Sequence, residues 1–296
     1  MKLINRTEIT KPDTVYNLEI KNNHNYLANG VVVSNCHGTK AAQLQSLLID
    51  HGANIAHRYG LTGTLPKDAC SKMLVHVALG DVKCEYHAKD LIAKGWLATL
   101  DIAVLQLDDV KYLENNGVPR ANLMMYEEEE HFVKTNATRM EWIANTIMEN
   151  KKQSKLGNTL VLVNTIKYGK ELHKLIPNSY VLNGSNNDKS RKAVYDLFET
   201  NDDVVAICTK QIAGVGLSID RIFNLVYIDA GKSFITTIQQ IGRGLRKGRD
   251  KDSVNILDIC SNLPSASKRL SERIKHYKDA SYPYKKYLIE YINISE

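Results

Sequence analysis

The chain has 296 residues, enough for two ordinary domains, and 43% of them are hydrophobic, enough to bury real cores. No stretch approaches the ~20 apolar residues of a membrane helix, and Met1-Lys2-Leu3-Ile4-Asn5-Arg6 lacks the apolar run of a signal peptide, so a cytoplasmic location is expected and no membrane partner. The formal net charge of +6 permits a nucleic-acid partner without requiring one, and the five cysteines, Cys36, Cys70, Cys84, Cys208 and Cys260, are too scattered for a metal site or a disulfide framework.

Residues 1–35 read as short extended pieces. Val15 to Ile20 has β-rich composition, Lys21 to Asn25 is polar and turn-like, and Tyr26-Leu27-Ala28 is followed by an Asn29-Gly30 turn and then Val31-Val32-Val33. From Cys36 the pattern changes: Ala41, Leu44, Leu47 and Leu48 share one helical face. Tyr59 to Pro66 reads as a strand end running into a loop, and a mixed region continues to about residue 120. Glu127 to Glu130 form an acidic run after Tyr126, expected as a solvated linker or helix start.

Beyond it strands and helices alternate. The predicted strands are Thr159–Val163, Tyr180–Leu182, Val204–Cys208, Leu225–Asp229 and Val254–Ile259, with predicted helices at Lys167–Leu175, Asp188–Glu199 and Phe234–Leu245. Apolar strands separated by helices of this length predict an α/β fold with a parallel sheet covered on both faces. Lys268 to Tyr291, rich in Lys, Arg and Tyr, is expected as an amphipathic helix covering a lobe rather than as a base-stacking surface. His51, His57, His76 and His87 have no visible ligand partners and are expected to be structural or on the surface.

Two groups of residues carry chemistry. The first is His24 to Cys36. An Asn followed by Cys supports two linked reactions: the Asn amide can attack its own carbonyl carbon and cut the chain after itself, and the Cys thiol can take an acyl group from another chain. Both need a fold that orients the amide and polarises the carbonyl. Val15 to Cys36, with His24 eleven residues before Asn35 and an apolar approach containing Asn29-Gly30, resembles the C-terminal block of inteins of the Hint family. The N-terminal intein blocks are absent, so the segment looks like the C-terminal fragment of a split intein. The resemblance implies that Asn35 cyclises, that Cys36 is the acyl acceptor and that His24 assists the Asn35 step. Asn17 and Ser34 stand where many inteins have Asp and His. Asn17 cannot ionise, and Ser34 cannot act as a general acid or base at neutral pH, although serine there also occurs in efficient split inteins.

The second group begins at the same junction. Cys36-His37 followed by Gly38-Thr39-Lys40-Ala41 looks like the end of a helicase motif II, Leu61-Thr62-Gly63-Thr64 resembles motif III, Thr159 to Asn164 resembles motif IV, and Cys208-Thr209 with Gly214 to Ser218 resembles motif V. Gln239-Gln240-Ile241-Gly242-Arg243-Gly244-Leu245-Arg246 fits the motif VI pattern Gln-x-x-Gly-Arg-x-x-Arg; the spacing of three puts Arg243 and Arg246 on one helical face, where they can neutralise charge on a transferring phosphoryl group. From residue 36 to about 290 the chain resembles superfamily-two DNA helicases, in particular phage recombination and repair helicases of the branch-migrating type.

That resemblance implies two RecA-like lobes, one partial and one complete, preceded by a short all-β intein fragment: 1–35, 36–120 and 121–296. It implies ATP and magnesium between the lobes and single-stranded or branched DNA across them, with His37, Thr62, Gly63, Thr64, Thr209, Gly216, Gln239 and Gly242 at the ATP site or linking it to DNA. No phosphate loop and no acidic pair precede Cys36, so both, with the magnesium ligands, are expected on a separate polypeptide carrying the helicase front half and an N-terminal intein fragment. For a phage-encoded chain the location is the host cytoplasm. The alternatives are a translocase subunit of a restriction-type system, and an orphan lobe that only binds DNA.

Overall fold

The computed structural model describes residues 25–28, 31–35, 46, 49–50, 58–61, 68–83, 90, 92, 94, 98–118, 126–153, 157–184, 188–209, 212, 219, 221–231, 251–279 and 281–291. The chain divides into two compact units, Met1–Glu85 and Tyr86–Glu296.

The first unit holds a three-stranded sheet in the order β1 (Asn25–Ala28), β2 (Val31–Asn35), β3 (Arg58–Leu61). β1 and β2 are antiparallel with Ala28 opposite Val31, so two residues, Asn29 and Gly30, separate them, the pair that tight hairpins favour. β2 and β3 are parallel. Helix α1 (Ala69–Leu79) follows; the Asp68 side chain accepts from the Ser71 N–H at 2.7 Å at its start, and Gly80 at φ +82° ends it. The expected strand at Val15–Ile20 and helix face at Ala41–Leu48 lie outside the described residues, apart from the helical residue Ser46.

Among the described residues the second unit has seven strands, all parallel: β4 (Thr99–Leu107), β5 (Thr159–Val163), β6 (Ser179–Leu182), β7 (Val205–Thr209), β8 (Asn224–Ile228), β9 (Ser253–Ser261) and β10 (Tyr284–Ile289), in the order β10-β4-β9-β8-β5-β7-β6. The helices are α2 (Asp109–Asn115), α3 (Tyr126–Thr135), α4 (Ala137–Gln153), α5 (Ile166–Leu175), α6 (Asp188–Thr200) and α7 (Pro264–Asp279). β5, β7 and β8 are buried at every position, which is why they read as continuous apolar runs. Alternation sends Val161 and Val163 to one core with Ile143 and Ile147 of α4 and Leu172 of α5. It sends Leu160 and Leu162 to the other, with Phe198 of α6 and Leu270 and Tyr277 of α7. Gly169 lets α5 sit close to the sheet: a Cβ there would lie 3.2 Å from Val163 Cγ2 and 3.3 Å from Ile207 Cγ2.

The parallel sheet covered on both faces is thus as the sequence predicts, with strand ends shifted by a residue or two. Two expectations change, and a third, the acidic run as a helix start, holds except that one of its residues is buried. β4 and α2 lie ahead of residue 120 yet belong to the second unit's sheet and its surroundings. The acidic run opens α3, and Glu129 within it is buried, its two carboxylate oxygens accepting from the Ser265 N–H at 2.9 and 3.0 Å; it caps the amino end of α7, where a carboxylate meets unpaired amides. The stretch Lys268 to Tyr291 is not one helix: α7 stops at Asp279, Ser281 turns the chain at φ +55°, and after Pro283 the chain forms edge strand β10 with Tyr287 and Leu288 exposed. No helix among the described residues is long and apolar enough to cross a membrane.

Candidate functional site

β8, β5 and β7 are neighbours, and their carboxyl ends form one rim. From β5 the chain moves outward to β6, returns to β7, then crosses to β8 on the far side of β5. The order of strands therefore reverses between β5 and β8, the place where open α/β sheets hold ligands. Asn164, just after β5, donates from Nδ2 to the Asp229 carbonyl just after β8 at 2.8 Å, joining the two strand ends across this point. Thr165 then caps α5, its hydroxyl accepting from the Tyr168 N–H at 3.3 Å. Thr209 ends β7 and is 9% exposed.

Of the expected motifs, motif IV and the first residues of motif V have described residues on this rim. Motif IV is β5 with Asn164. Motif V continues in sequence from Thr209, and motif VI belongs to the segment that follows Gly231 and rejoins the described structure at Lys251. Elements scattered through the sequence thus lead to, or away from, three adjacent strand ends.

The end of β8 is held from both faces by buried guanidinium groups. Arg139 on α4 is fully buried. It donates to both carboxylate oxygens of Asp229 at 2.7 and 2.8 Å, to Asp109 at 3.1 Å and to the Val133 carbonyl at 3.2 Å. Asp109 is also fully buried, and accepts from the Tyr291 hydroxyl at 2.6 Å. Two carboxylates share one guanidinium. Burial pushes the Asp109 carboxyl above its ordinary value of 3.8, with Arg139 pulling the other way. Burial also works against the Arg139 charge, but Asp229 and Asp109 outweigh it and hold the guanidinium ionised. Asp229 has φ +48°, a left-handed conformation that costs a non-glycine residue about 1 kcal/mol and persists where surrounding contacts fix it.

From the other face, Arg273 on α7 donates to the carbonyl of the next residue, Ala230, at 2.6 Å. Its remaining donors form a two-pronged pair with Asp258 of β9 at 2.9 and 3.0 Å, and the Tyr277 hydroxyl donates to the same carboxylate at 2.9 Å. Arg273, Asp258 and Tyr277 are all fully buried, and burial raises the Tyr277 phenol well above its ordinary value. At the opposite, amino end of the sheet, buried Asn158 ties three strands together. Its Nδ2 donates to the carbonyls of Phe198 and Asn201 at 2.9 and 2.8 Å, its Oδ1 accepts from the Val204 N–H at 2.9 Å, and its carbonyl accepts from Phe223 and Asn224.

Of the residues expected to act, Asn35 is described as the last residue of β2, and Thr209 sits on the rim. His24, Cys36, His37, Thr62, Gly63, Thr64, Gly216, Gln239, Gly242, Arg243 and Arg246 lie outside the described residues. The sequence reading missed Asp109, Arg139, Asp229, Asp258 and Arg273 as a group. One signal was available: Asp258 interrupts the apolar run Val254–Ile259, and a buried carboxylate needs a cationic partner.

Residues 138–248 match the family model of the helicase conserved C-terminal domain. The chain is 22% identical over 246 residues to the ATP-dependent DNA helicase uvsW of Enterobacteria phage T4, covering 81% of this chain and 47% of that protein. It is 24% identical over 269 residues to putative helicase 22 of Sulfolobus islandicus filamentous virus (isolate Iceland/Hveragerdi), covering 83% and 46%. The chain thus spans about half the length of the curated relatives it matches. The crystal structure of T4 UvsW superposes with a TM-score of 0.52 at 18% identity, covering 87% of this chain and 53% of that one. A fragment of a putative HsdR subunit of a type I restriction enzyme from Vibrio vulnificus YJ016 superposes with 0.62 at 16% identity, covering 88% and 48%. These likenesses agree: residues 138–248 match a helicase C-terminal domain, and the chain is similar to uvsW over about half of that protein's length.

Proposed function

We propose that the chain is the C-terminal half of a split, intein-joined ATP-dependent DNA helicase of the branch-migration, repair or recombination type, made active by protein trans-splicing at Asn35/Cys36. The observation that carries the helicase part is the rim of β5, β7 and β8, on which motif IV (β5 with Asn164) and Thr209 of motif V stand side by side. The splicing part rests on His24, Asn35 and Cys36 in intein-like spacing, placed where the helicase resemblance begins.

The splicing chemistry balances without an external reagent. An acyl group, delivered as a thioester or ester by the partner's intein junction, passes to the Cys36 sulfur, and the thiol proton goes to the leaving group. The Asn35 side-chain nitrogen then attacks the Asn35 carbonyl, closing a succinimide and freeing the Cys36 amine. That amine takes the acyl group from its own sulfur, which leaves a peptide bond and restores the thiol.

ATP with magnesium would supply the energy-yielding phosphoryl transfer, with the magnesium ligands on the partner half. The rim fits a phosphate-bearing ligand: it lies at the switch point of a parallel sheet, and the Asp229 carboxylate beside it is neutralised by Arg139. Arg243 and Arg246 would then neutralise phosphoryl charge, and Thr209, at the end of β7, would couple the ATP site to DNA. Likeness to restriction-type structures at this identity bears on the fold alone and does not favour the translocase alternative.

Co-expression with a polypeptide carrying the helicase front half and an N-terminal intein fragment tests the reading. Mass spectrometry should show a joined product and a released fragment ending at Asn35, and ATP turnover should appear only in the joined product. Association of the halves without ligation would sink the splicing part. A ligated product without DNA-stimulated ATP turnover would sink the helicase part.

A further inference from the structure

The strand that ends at the proposed cut site pairs across it. β2 runs parallel to β3 with Val32 opposite Arg58, Val33 opposite Tyr59, Ser34 opposite Gly60 and Asn35 opposite Leu61. On the reading above, β2 belongs to the segment that departs, whereas β3 belongs to the helicase that remains. The connection between them, residues 36–57, begins at Cys36 and also remains.

Parallel neighbours require a crossover of a dozen or more residues, and residues 36–57 supply it. Splicing leaves that crossover unchanged and changes only what is attached to Cys36. Whatever is joined to Cys36 therefore enters the sheet at the place Asn35 now holds, in the same direction and opposite Leu61. If β2 left and nothing replaced it, Arg58–Leu61 would present an unpaired edge, which invites association with other chains.

We propose that the edge of β3 is the docking position for the last strand of the partner's helicase half, and that β2 is a stand-in occupying that position until splicing replaces it. The proposal rests on the splicing reading and goes beyond it by naming the surface and its occupant. The occupant is a strand of about five residues, read from the length of β2, continuous with Cys36. It is parallel to β3, without proline at positions that must donate to the ladder, and apolar and β-branched in the manner of Val31-Val32-Val33. The intein fragment then has two competing partners, β3 in the unjoined chain and the N-terminal intein half during assembly, so β2 must leave β3 before the strand that succeeds it can enter.

Amide hydrogen exchange on the full chain tests this. Adjacent amides of a strand point to opposite edges, so Val32→Pro and Val33→Pro each remove a donor from a different side of β2, and one of them faces β3. The expected result is that one of these variants speeds exchange in residues 58–61 by about 10-fold or more. Residues 69–79 of α1 in the same unit, and residues 159–163 of the second, keep wild-type protection, which controls for unfolding of either unit. Unchanged exchange at 58–61 in both variants overturns the pairing. In the ligated product, after the fragment ending at Asn35 has left, 58–61 should remain protected, and loss of protection there overturns the replacement. Mass spectrometry reads ligation independently: its failure refutes the splicing reading and, with it, the replacement, while coupled exchange in the unjoined chain still decides the pairing.

Discussion

Removing the Arg139 guanidinium should be among the most damaging single changes in the second unit. Arg139→Ala deletes four hydrogen bonds and leaves the carboxylates of Asp109 and Asp229 buried together without a cation, at 0% and 7% exposure. Breaking a buried pair in this way costs about 3–5 kcal/mol, because an uncompensated charge remains, out of the roughly 5–15 kcal/mol that stabilises a typical domain. The assay is urea unfolding followed by the fluorescence of Trp142, which lies on α4 with its ring 6.3 Å from that of Tyr291. The midpoint should fall by at least about 1 M, given slopes of about 1–3 kcal/mol per molar. Replacing the whole group by Arg139→Met, Asp109→Asn and Asp229→Asn should recover most of the loss, since no buried charge is stranded. A loss below about 1 kcal/mol in the alanine variant, the scale of an exposed ion pair, would refute the argument that this network holds the end of β8.

The raised pKa of Asp109 has a signed consequence: the folded chain binds a proton there more tightly than the unfolded chain, so acidification from neutrality towards 3.8 should stabilise wild type relative to Asp109→Asn, and a difference that stays flat over that window would contradict it. Asn158→Ala should destabilise the second unit by about 1–3 kcal/mol in the same urea assay, because the buried Val204 N–H loses its acceptor. Of the three described cysteines, Cys70 is exposed whereas Cys208 and Cys260 are buried, with burial pushing the Cys208 thiol up to about 12. Iodoacetamide on the native chain, read by peptide mass mapping, should therefore label Cys70 and spare both buried thiols. Within the proposed function, Cys36→Ala should abolish ligation. Arg246→Ala should ligate normally and lower ATP turnover of the joined product by about 10³-fold or more; normal turnover would assign the phosphoryl-neutralising role to another residue.

The strands were legible because burial on both faces leaves a composition that few other structures share: Thr159–Val163 and Val204–Cys208 are short, apolar and bounded by polar turns. The helices Lys167–Leu175 and Asp188–Glu199 were legible from their period. The break between α7 and β10 was less visible, since Lys and Tyr recur through both; Pro283, with the alternation after it, was the available signal. Glu129 looked like its exposed neighbours in an acidic run. Which of them would meet the amino end of α7 depends on residues more than a hundred positions away.

The sequence by itself determined the periodicity of the second unit, the order of the helicase-like motifs and the coincidence of the intein-like ending with Cys36, because these are properties of neighbouring residues. The tertiary structure decided that β5, β7 and β8 are adjacent, that their ends make one rim, and that Arg139 and Arg273 reach two consecutive residues, Asp229 and Ala230, from opposite faces. An arginine on a helix carries no local mark of burial. Whether it ends in water or against a carboxylate is set by the sheet that the helix packs on, and that sheet is assembled from segments distant in the chain.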